Sequence, residues 1–264
     1  MNSKKYEFLI VGSGAGGAAL ARELSKQGRE VLVVERGGYE VKIGTLQDTF
    51  RYYDLKGLTK MPAQSKEGVV LWRAFMAGGS TVVACANATR CLERELADFG
   101  ITLDQEFAEA EKEMKVAPTD ERLLSEGSKR IRWAAKELGY QMEPMPKFLD
   151  PVRCRKCGSC AWGCVNEAKW TALEYLDEAR QNRADILYHT TVQQVLVENG
   201  KVRGVSGIGP QGRVEIMSNV VILAAGGLGT PVILQHSGIR DAGQGLFVDL
   251  YVHTFGVTEG LTQI

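Results

Sequence analysis

The strongest constraint on the fold is a glycine-patterned turn near the start of the chain, Gly12-Ser-Gly14-Ala-Gly-Gly17, set between an apolar run and a helix-forming stretch. Tyr6-Glu-Phe-Leu-Ile-Val reads as a buried parallel strand, Ala15 to Gln27 as a helix stopped by Gly28, and Glu30 to Glu35 as a second strand. A unit of about thirty residues is the usual length of a right-handed strand-helix-strand crossover. Within it the glycines serve different ends, with a tight turn at Gly12, close backbone approach to a pyrophosphate at Gly14, and close helix-strand packing at Gly17. The helix N-terminus then faces the phosphates with N–H donors and a favourable dipole. Glu35 stands eighteen residues after Gly17, where a carboxylate accepts from a ribose 2′-hydroxyl and repels a 2′-phosphate. These residues alone do not choose between NAD and FAD.

Further along, residues 39–75 show no sustained period and are expected to lie outside the sheet. Charge-rich helical spacing predicts helices from Leu103 to Met114 and from Ser125 to Leu138. Thr102 or Asp104 and Ser125 are the candidate N-caps, and Gly139 is the stop. Thr171 to Gln181 reads as a helix, Ile186 to His189 as a strand, and Val192–Val197 with Val202–Ile208 as a hairpin around Asn199-Gly200. Val220 to Gly226 reads as a further buried strand running into glycine. This order predicts an α/β chain with a Rossmann-type dinucleotide fold and an inserted helical, cysteine-bearing lobe. The expected organisation is one discontinuous domain, with its core at 1–45 and 185–235, the lobe at 46–184 and a tail at 236–264.

Thirty-two basic and thirty-two acidic side chains cancel, so no net field draws the chain to nucleic acid or an anionic membrane. Small diffusible partners or a neutral protein surface fit better. No run of ~18 apolar residues predicts a membrane span. Lys4-Lys5 and the apolar run from Phe8 copy the start of a secretory signal, but the glycine pattern gives that segment another use, and the expected compartment is the cytoplasm.

Glu35-Arg-Gly-Gly38, then Gly78-Gly-Ser-Thr-Val-Val-Ala-Cys-Ala-Asn-Ala-Thr-Arg90, then Ala224-Ala-Gly-Gly-Leu-Gly-Thr-Pro-Val-Ile-Leu-Gln-His-Ser-Gly-Ile239 resemble, in order and spacing, the glucose-methanol-choline oxidoreductase family. The resemblance runs from Tyr6 to about His253. It implies an FAD enzyme that oxidises an alcohol or sugar hydroxyl by hydride transfer to the flavin N5. It places Gly78, Gly79 and Ser80 against the flavin and pyrophosphate, Val192 as a backbone contact to adenine, and Arg36, Ala225 and Gly226 in the cofactor-binding stretches. Arg240 stands where the second signature usually has glycine, and Ala84 where many members have asparagine. The family's catalytic histidine and its partner lie in a C-terminal substrate portion without counterpart here, so no residue of this chain inherits that role. His189, His236 and His253 read as packed or hydrogen-bonded histidines. The expectation is an incomplete chain, or one subunit whose site another completes.

Four of the six cysteines fall within eleven residues, as Cys154-x2-Cys157-x2-Cys160-x3-Cys164. Ferredoxins hold iron-sulfur clusters of the 4Fe-4S type with this spacing, although there the fourth cysteine serves a second cluster. An iron-sulfur cluster is the expectation; zinc and plain thiols are the alternatives. A cluster would give flavin electrons a one-electron exit, favouring a dehydrogenase with an acceptor protein. The rival function is a non-catalytic flavin and iron-sulfur electron-transfer subunit.

Overall fold

The computed structural model describes residues 6–40, 43–56, 61–246, 256 and 260. In chain order the elements are β1 (Tyr6–Val11), α1 (Ala15–Lys26), β2 (Val31–Val34), α2 (Leu46–Tyr52), β3 (Leu55–Lys56), β4 (Met61–Pro62), α3 (Glu93–Ala97), α4 (Asp104–Glu113), β5 (Val116–Pro118), α5 (Glu126–Glu137) and β6 (Pro146–Phe148). There follow α6 (Leu173–Gln181), β7 (Asp185–Leu187), β8 (Thr191–Glu198), β9 (Lys201–Gly209), β10 (Gly212–Leu223) and α7 (Gly226–His236). They divide into two compact units, 1–83 with 171–249 and 84–170 with 250–264.

The first unit is built on a six-stranded sheet in the order β7-β2-β1-β10-β9-β8. The first four strands are parallel, and β10, β9 and β8 form an antiparallel meander. β1 and β2 are covered on both faces, which is why their sequences are continuous apolar runs. On one face Leu9, Val11, Leu32 and Val34 pack with Val192, Val205 and Ile233. On the other, Ile10, Val31 and Val33 pack with Ala21 of α1, Ala179 of α6 and Ala184. Each fully buried Leu, Ile or Val contributes about 1.5–3 kcal/mol, so these two strands anchor the unit. The hairpin between β8 and β9 turns through Asn199 and Gly200, both with positive φ (51° and 72°), as a two-residue loop of the expected kind requires. The described residues of 39–75 stay outside the six-stranded sheet, but they contain α2 and the β3–β4 ribbon, which the sequence pattern did not signal.

β10 belongs to both halves of the sheet. Residues from Gly212 to Met217 pair with β9, and from Ser218 onward the strand pairs with β1. Ser218 sits at the change of partner, buried, its hydroxyl 3.0–3.3 Å from the carbonyl oxygens of Val220, Glu7 and Tyr6. Pairing with β9 ends at Gly204, where a side chain would run into the Ile216 carbonyl. The run from Val220 to Leu223 was expected to be buried; it is only partly so, with Val221, Ile222 and Leu223 packed against the core and Val220 41% exposed. The reason is that, among the described residues, this stretch is bonded to a strand on one side only.

In the second unit β5 and β6 pair as a short antiparallel ribbon, and α3, α4 and α5 contain no buried residue. Ser125 caps α5 as expected, accepting the Ser128 N–H at 3.1 Å, and Gly139 follows that helix at φ 81°. The expected cap of α4 is corrected: its N-cap is Leu103, without a side-chain bond, and Asp104 is a first-turn acid that favours the helix dipole instead. Trp170 packs edge-on against Phe148, with centroids 5.8 Å apart. Among the described residues no helix is long and apolar enough to cross a membrane.

Gly204→Ala is expected to destabilise the chain by more than about 2 kcal/mol in urea unfolding, because the new methyl meets backbone and the β9–β10 pair must open. An unchanged midpoint would contradict this account of the meander.

Candidate functional site

The parallel strands deliver their C-terminal ends to one edge of the first unit, and most of the sequence-predicted residues collect there. The chain leaves β1 through Gly12, at φ 100°. A Cβ on Gly12 would lie 2.5 Å from the Ala224 carbonyl oxygen, and one on Gly17 would run into the Gly12 carbonyl. Packing within the chain therefore demands both glycines. Gly14 differs, since a Cβ there would meet nothing within 4 Å; its value lies in what approaches from outside. It N-caps α1, which has neither a side-chain cap nor an acidic residue in its first turn. α7 begins the same way after Ala225, and Gly226 takes φ 77°. The Ala224 N–H donates to the Val11 carbonyl at 2.8 Å, so the ends of β10 and β1 lie side by side. Two helix N-termini without acidic or side-chain caps thus open at the same end of the sheet, an arrangement suited to a diphosphate.

Glu35 closes the site at the end of β2 and is only 6% exposed. Its Oε2 accepts the Ser13 N–H at 2.9 Å and the Ser13 hydroxyl at 2.6 Å, and its Oε1 accepts the Gly37 N–H at 2.7 Å. A buried carboxylate is costly unless bonded in this way. Three of its roughly four acceptor positions are used, leaving one on Oε1. Ser13 is the functional residue that sequence reasoning missed: it occupies an unspecified place between two glycines, and only the fold reveals its partner.

The second motif is set against the first. Gly78 and Gly79 have φ values of 79° and 55°, and a Cβ on Gly79 would lie 2.9 Å from the Gly14 Cα. The backbone of this turn thus rests directly on the glycine turn, a cradle that any side chain would fill. The Ala77 N–H donates to the Gly38 carbonyl at 2.9 Å. Thr81 donates to the Gly78 carbonyl and accepts the Ala172 N–H, at 2.6 and 3.0 Å, while the Ser80 hydroxyl accepts the Ala74 N–H at 3.3 Å. Arg36 is exposed, its guanidinium 3.8 Å from the centre of the Phe75 ring. The Val192 side chain is buried in the core, and the ladder to β9 slips between Val192 and Gln194, interrupting regular backbone pairing there.

Neither of the two described histidines is set in a catalytic arrangement. His189 was expected on a strand; β7 ends at Leu187, and His189 turns at φ 53° and lays its ring over Gly38. His236 ends α7 with Nδ1 3.3 Å from the Gln193 carbonyl. His253 lies outside the described residues. The Tyr188 hydroxyl is buried without a hydrogen-bond partner among the described residues.

The cysteine expectation finds no support in the second unit. Among the described residues no group of three or more His, Cys, Asp or Glu side chains could hold a metal ion. Cys154, Cys157, Cys160 and Cys164 are free thiols, with Cys157 exposed. In the loop that carries them Lys156 and Gly158 take positive φ, and a 3-10 turn runs from Cys160 to Trp162. Cys154 and Cys164 accept local bonds from the Lys156 and Ala168 N–H groups, at 3.5 and 3.3 Å. The described geometry lends no support to an iron-sulfur cluster or a zinc site at these cysteines. Lys169, buried beneath the loop, reaches the Ala84 and Cys160 carbonyls at 2.7 and 2.8 Å.

The profile of the GMC oxidoreductase family matches residues 6–254. An uncharacterized GMC-type oxidoreductase of Mycobacterium tuberculosis is 31% identical over 250 residues, 89% of this chain and 39% of that protein. An uncharacterized protein of Methanocaldococcus jannaschii is 30% identical over 263 residues, 96% of this chain and 58% of that one. A long-chain-alcohol oxidase of Arabidopsis thaliana is 28% identical, covering 94% of this chain and 36% of its own length. Two solved structures share the fold: pyridoxine 4-oxidase from Mesorbium loti, at TM-score 0.63 and 18% identity over 93% of this chain and 55% of that one, and Aspergillus oryzae formate oxidase, at 0.64 and 14% over 90% and 48%. The chain thus spans little more than half, or less, of the length of these relatives.

Burial lowers the Lys169 ammonium to about 8. The folded chain then binds this proton less tightly than the unfolded chain, so stability rises as pH climbs from about 8 towards the ordinary lysine range. Urea unfolding at pH 8 and pH 10 is expected to show a gain of roughly 1–3 kcal/mol that Lys169→Met lacks. Equal slopes for the two proteins would contradict the burial of a charged amine here.

Proposed function

The chain belongs to the GMC oxidoreductase family, and we propose that it is the FAD-binding part of an oxidoreductase acting on the CH–OH group of an alcohol or sugar. The observation that carries this reading is the seating of the Gly79 turn on Gly14, with Glu35 beside it and two helix N-termini opening at the same edge. The first turn alone would serve either NAD or FAD; the second glycine turn, stacked on it, leaves backbone without side chains where the broader flavin ring would lie.

In this reading the N-terminus of α1 and Gly14 hold the diphosphate, and Gly12 and Gly17 set that turn. The remaining acceptor position on Glu35 takes a ribose hydroxyl. Gly78, Gly79 and Ser80 border the flavin side, Arg36 and the backbone at Val192 border the adenine, and Ala225 and Gly226 lie along the phosphate edge. When bound, FAD would supply a two-electron acceptor for hydride from the alcohol carbon, and the hydroxyl proton would pass to a base, giving a carbonyl product. That base, and the substrate pocket, belong to polypeptide beyond the portion this chain spans, either in a longer chain or in a complementing subunit. The dehydrogenase reading rested on an iron-sulfur exit that the cysteines do not fit. Several relatives are named oxidases, which adds molecular oxygen to a carrier protein as the class of electron acceptor.

Tryptophan-fluorescence titration tests the cofactor assignment. FAD is expected to bind at least about 100-fold more tightly than FMN, which lacks the adenosine, and Glu35→Gln is expected to weaken FAD by about tenfold or more. FMN binding as tightly as FAD, or an unaffected variant, would overturn it. In the complete assembly under anaerobic conditions, an alcohol or sugar is expected to bleach the flavin; bleaching by none of a broad panel would remove the CH–OH assignment.

A further inference from the structure

We propose that Cys154 and Cys164 form a peroxide-responsive dithiol, a modification site at the neck of the cysteine loop that closes into a disulfide and reopens on reduction.

The neck is the closed base of a hairpin-like loop in the second unit. Leu149 pairs antiparallel with Lys169, the Asp150 N–H donates to the Ala168 carbonyl at 2.7 Å, and the Trp170 N–H donates to the Phe148 carbonyl at 3.1 Å. From this base each arm makes one turn that ends on a cysteine. On the first arm the Asp150 carbonyl accepts the Cys154 N–H at 3.0 Å. On the second the Cys164 sulfur accepts the Ala168 N–H at 3.3 Å, and the Cys164 carbonyl accepts the Glu167 N–H at 3.0 Å. Both cysteines are therefore one hydrogen bond away from the same Asp150–Ala168 pair. Beside them the Arg153 guanidinium meets the Glu167 carboxylate at 2.9 Å and holds the two arms together. Opposite Cα atoms of an antiparallel pair lie about 4.5–5.5 Å apart, inside the range of about 4.4–6.8 Å that a disulfide spans. Arms held together one turn beyond such a pair need only a small movement for their sulfurs to join.

The other two cysteines of the loop are placed differently. Cys157 is exposed beside Gly158. The Cys160 carbonyl is fixed by the Lys169 ammonium at 2.8 Å, and burial pushes the Cys160 thiol up, which keeps it protonated and less reactive. Cys154 and Cys164 both act on Cys160 as neighbouring charges, which places them within electrostatic reach of the same third sulfur.

The chemistry needs hydrogen peroxide as oxidant and nothing else. One sulfur attacks a peroxide oxygen, the O–O bond breaks, and a sulfenic acid and water result; the second sulfur then attacks the first and expels its oxygen as water. The sulfur pair loses two electrons, the peroxide is reduced to two waters, and both thiol protons end in those waters. The new bond would lock the neck that seats Lys169, whose ammonium also reaches the Ala84 carbonyl at 2.7 Å.

In the purified 264-residue chain, one equivalent of hydrogen peroxide is expected to remove two of the six thiols. Tandem mass spectrometry of the digest is expected to find a single link, between Cys154 and Cys164, that dithiothreitol reverses. The Asp150 amide is expected to exchange with solvent about tenfold more slowly once the link has formed. An undiminished thiol count, a link to Cys157 or Cys160 instead, a link between two chains, sulfinic acid in place of a disulfide, or an unchanged Asp150 amide would overturn the proposal. Glu167→Gln separates the geometry of the neck from the acidity of the thiols. Removing an acid near the sulfurs favours thiolate and speeds closure, whereas loosening the neck slows it. With dimedone present to trap sulfenic acid, the variant is expected to raise the ratio of trapped acid to disulfide by roughly two- to fivefold, the range that an exposed ion pair supports. An unchanged or lower ratio would show that the ion pair does not hold the arms together and overturn the clasp. Neither readout depends on bound flavin.

Discussion

The buried carboxylate of Glu35 ties together the parts of the first unit on which its chemistry depends. It joins the turn after β1, through both hydrogens of Ser13, to the end of β2, through the Gly37 N–H. Burying an ionised carboxyl group costs several kcal/mol, and three charge-assisted bonds offset that cost only in one relative placement of the two strands. The same region is locked sterically, since Gly12 lies on Ala224 and Gly79 on Gly14. Three sequence-distant segments are thereby fixed within contact distance before any ligand is bound, which is the pre-organisation that a large cofactor exploits.

Burial is distributed to match. β1 and β2 have both faces filled, whereas β10 is bonded on both sides only in its first half and α3, α4 and α5 bury no residue completely. The cofactor edge is built on the most buried part of the chain. The less covered parts are the last residues of β10 and the helices of the second unit, and the chain is little more than half as long as the relatives it matches, or shorter.

Much of this was legible in the sequence, for identifiable reasons. The first strand, turn, helix and second strand are local, and their glycines and apolar runs answer to backbone geometry and burial at short range. The hairpin at Asn199-Gly200 likewise announces itself through two residues that tolerate positive φ. What was not legible depends on partners far away in the chain. Ser13 is an unremarked residue until Glu35 folds onto it. The first half of β10 was missed because a strand that exchanges β9 for β1 at Ser218 has no single pattern of burial. The cysteine spacing matched a ferredoxin loop, but spacing does not fix where sulfurs point, and among the described residues no group of three or more possible ligands could hold a metal ion.

The central claim is that the edge formed by β1, β2 and β10 holds a flavin dinucleotide, and a crystal structure of the chain grown with FAD addresses it most directly. The account predicts the diphosphate over the N-terminus of α1, between Gly14 and Gly79, with a ribose hydroxyl on Oε1 of Glu35 and the Ser13 and Gly37 bonds intact. A diphosphate bound elsewhere, or a Glu35 carboxylate that abandons Ser13 to reach the ribose, would contradict it.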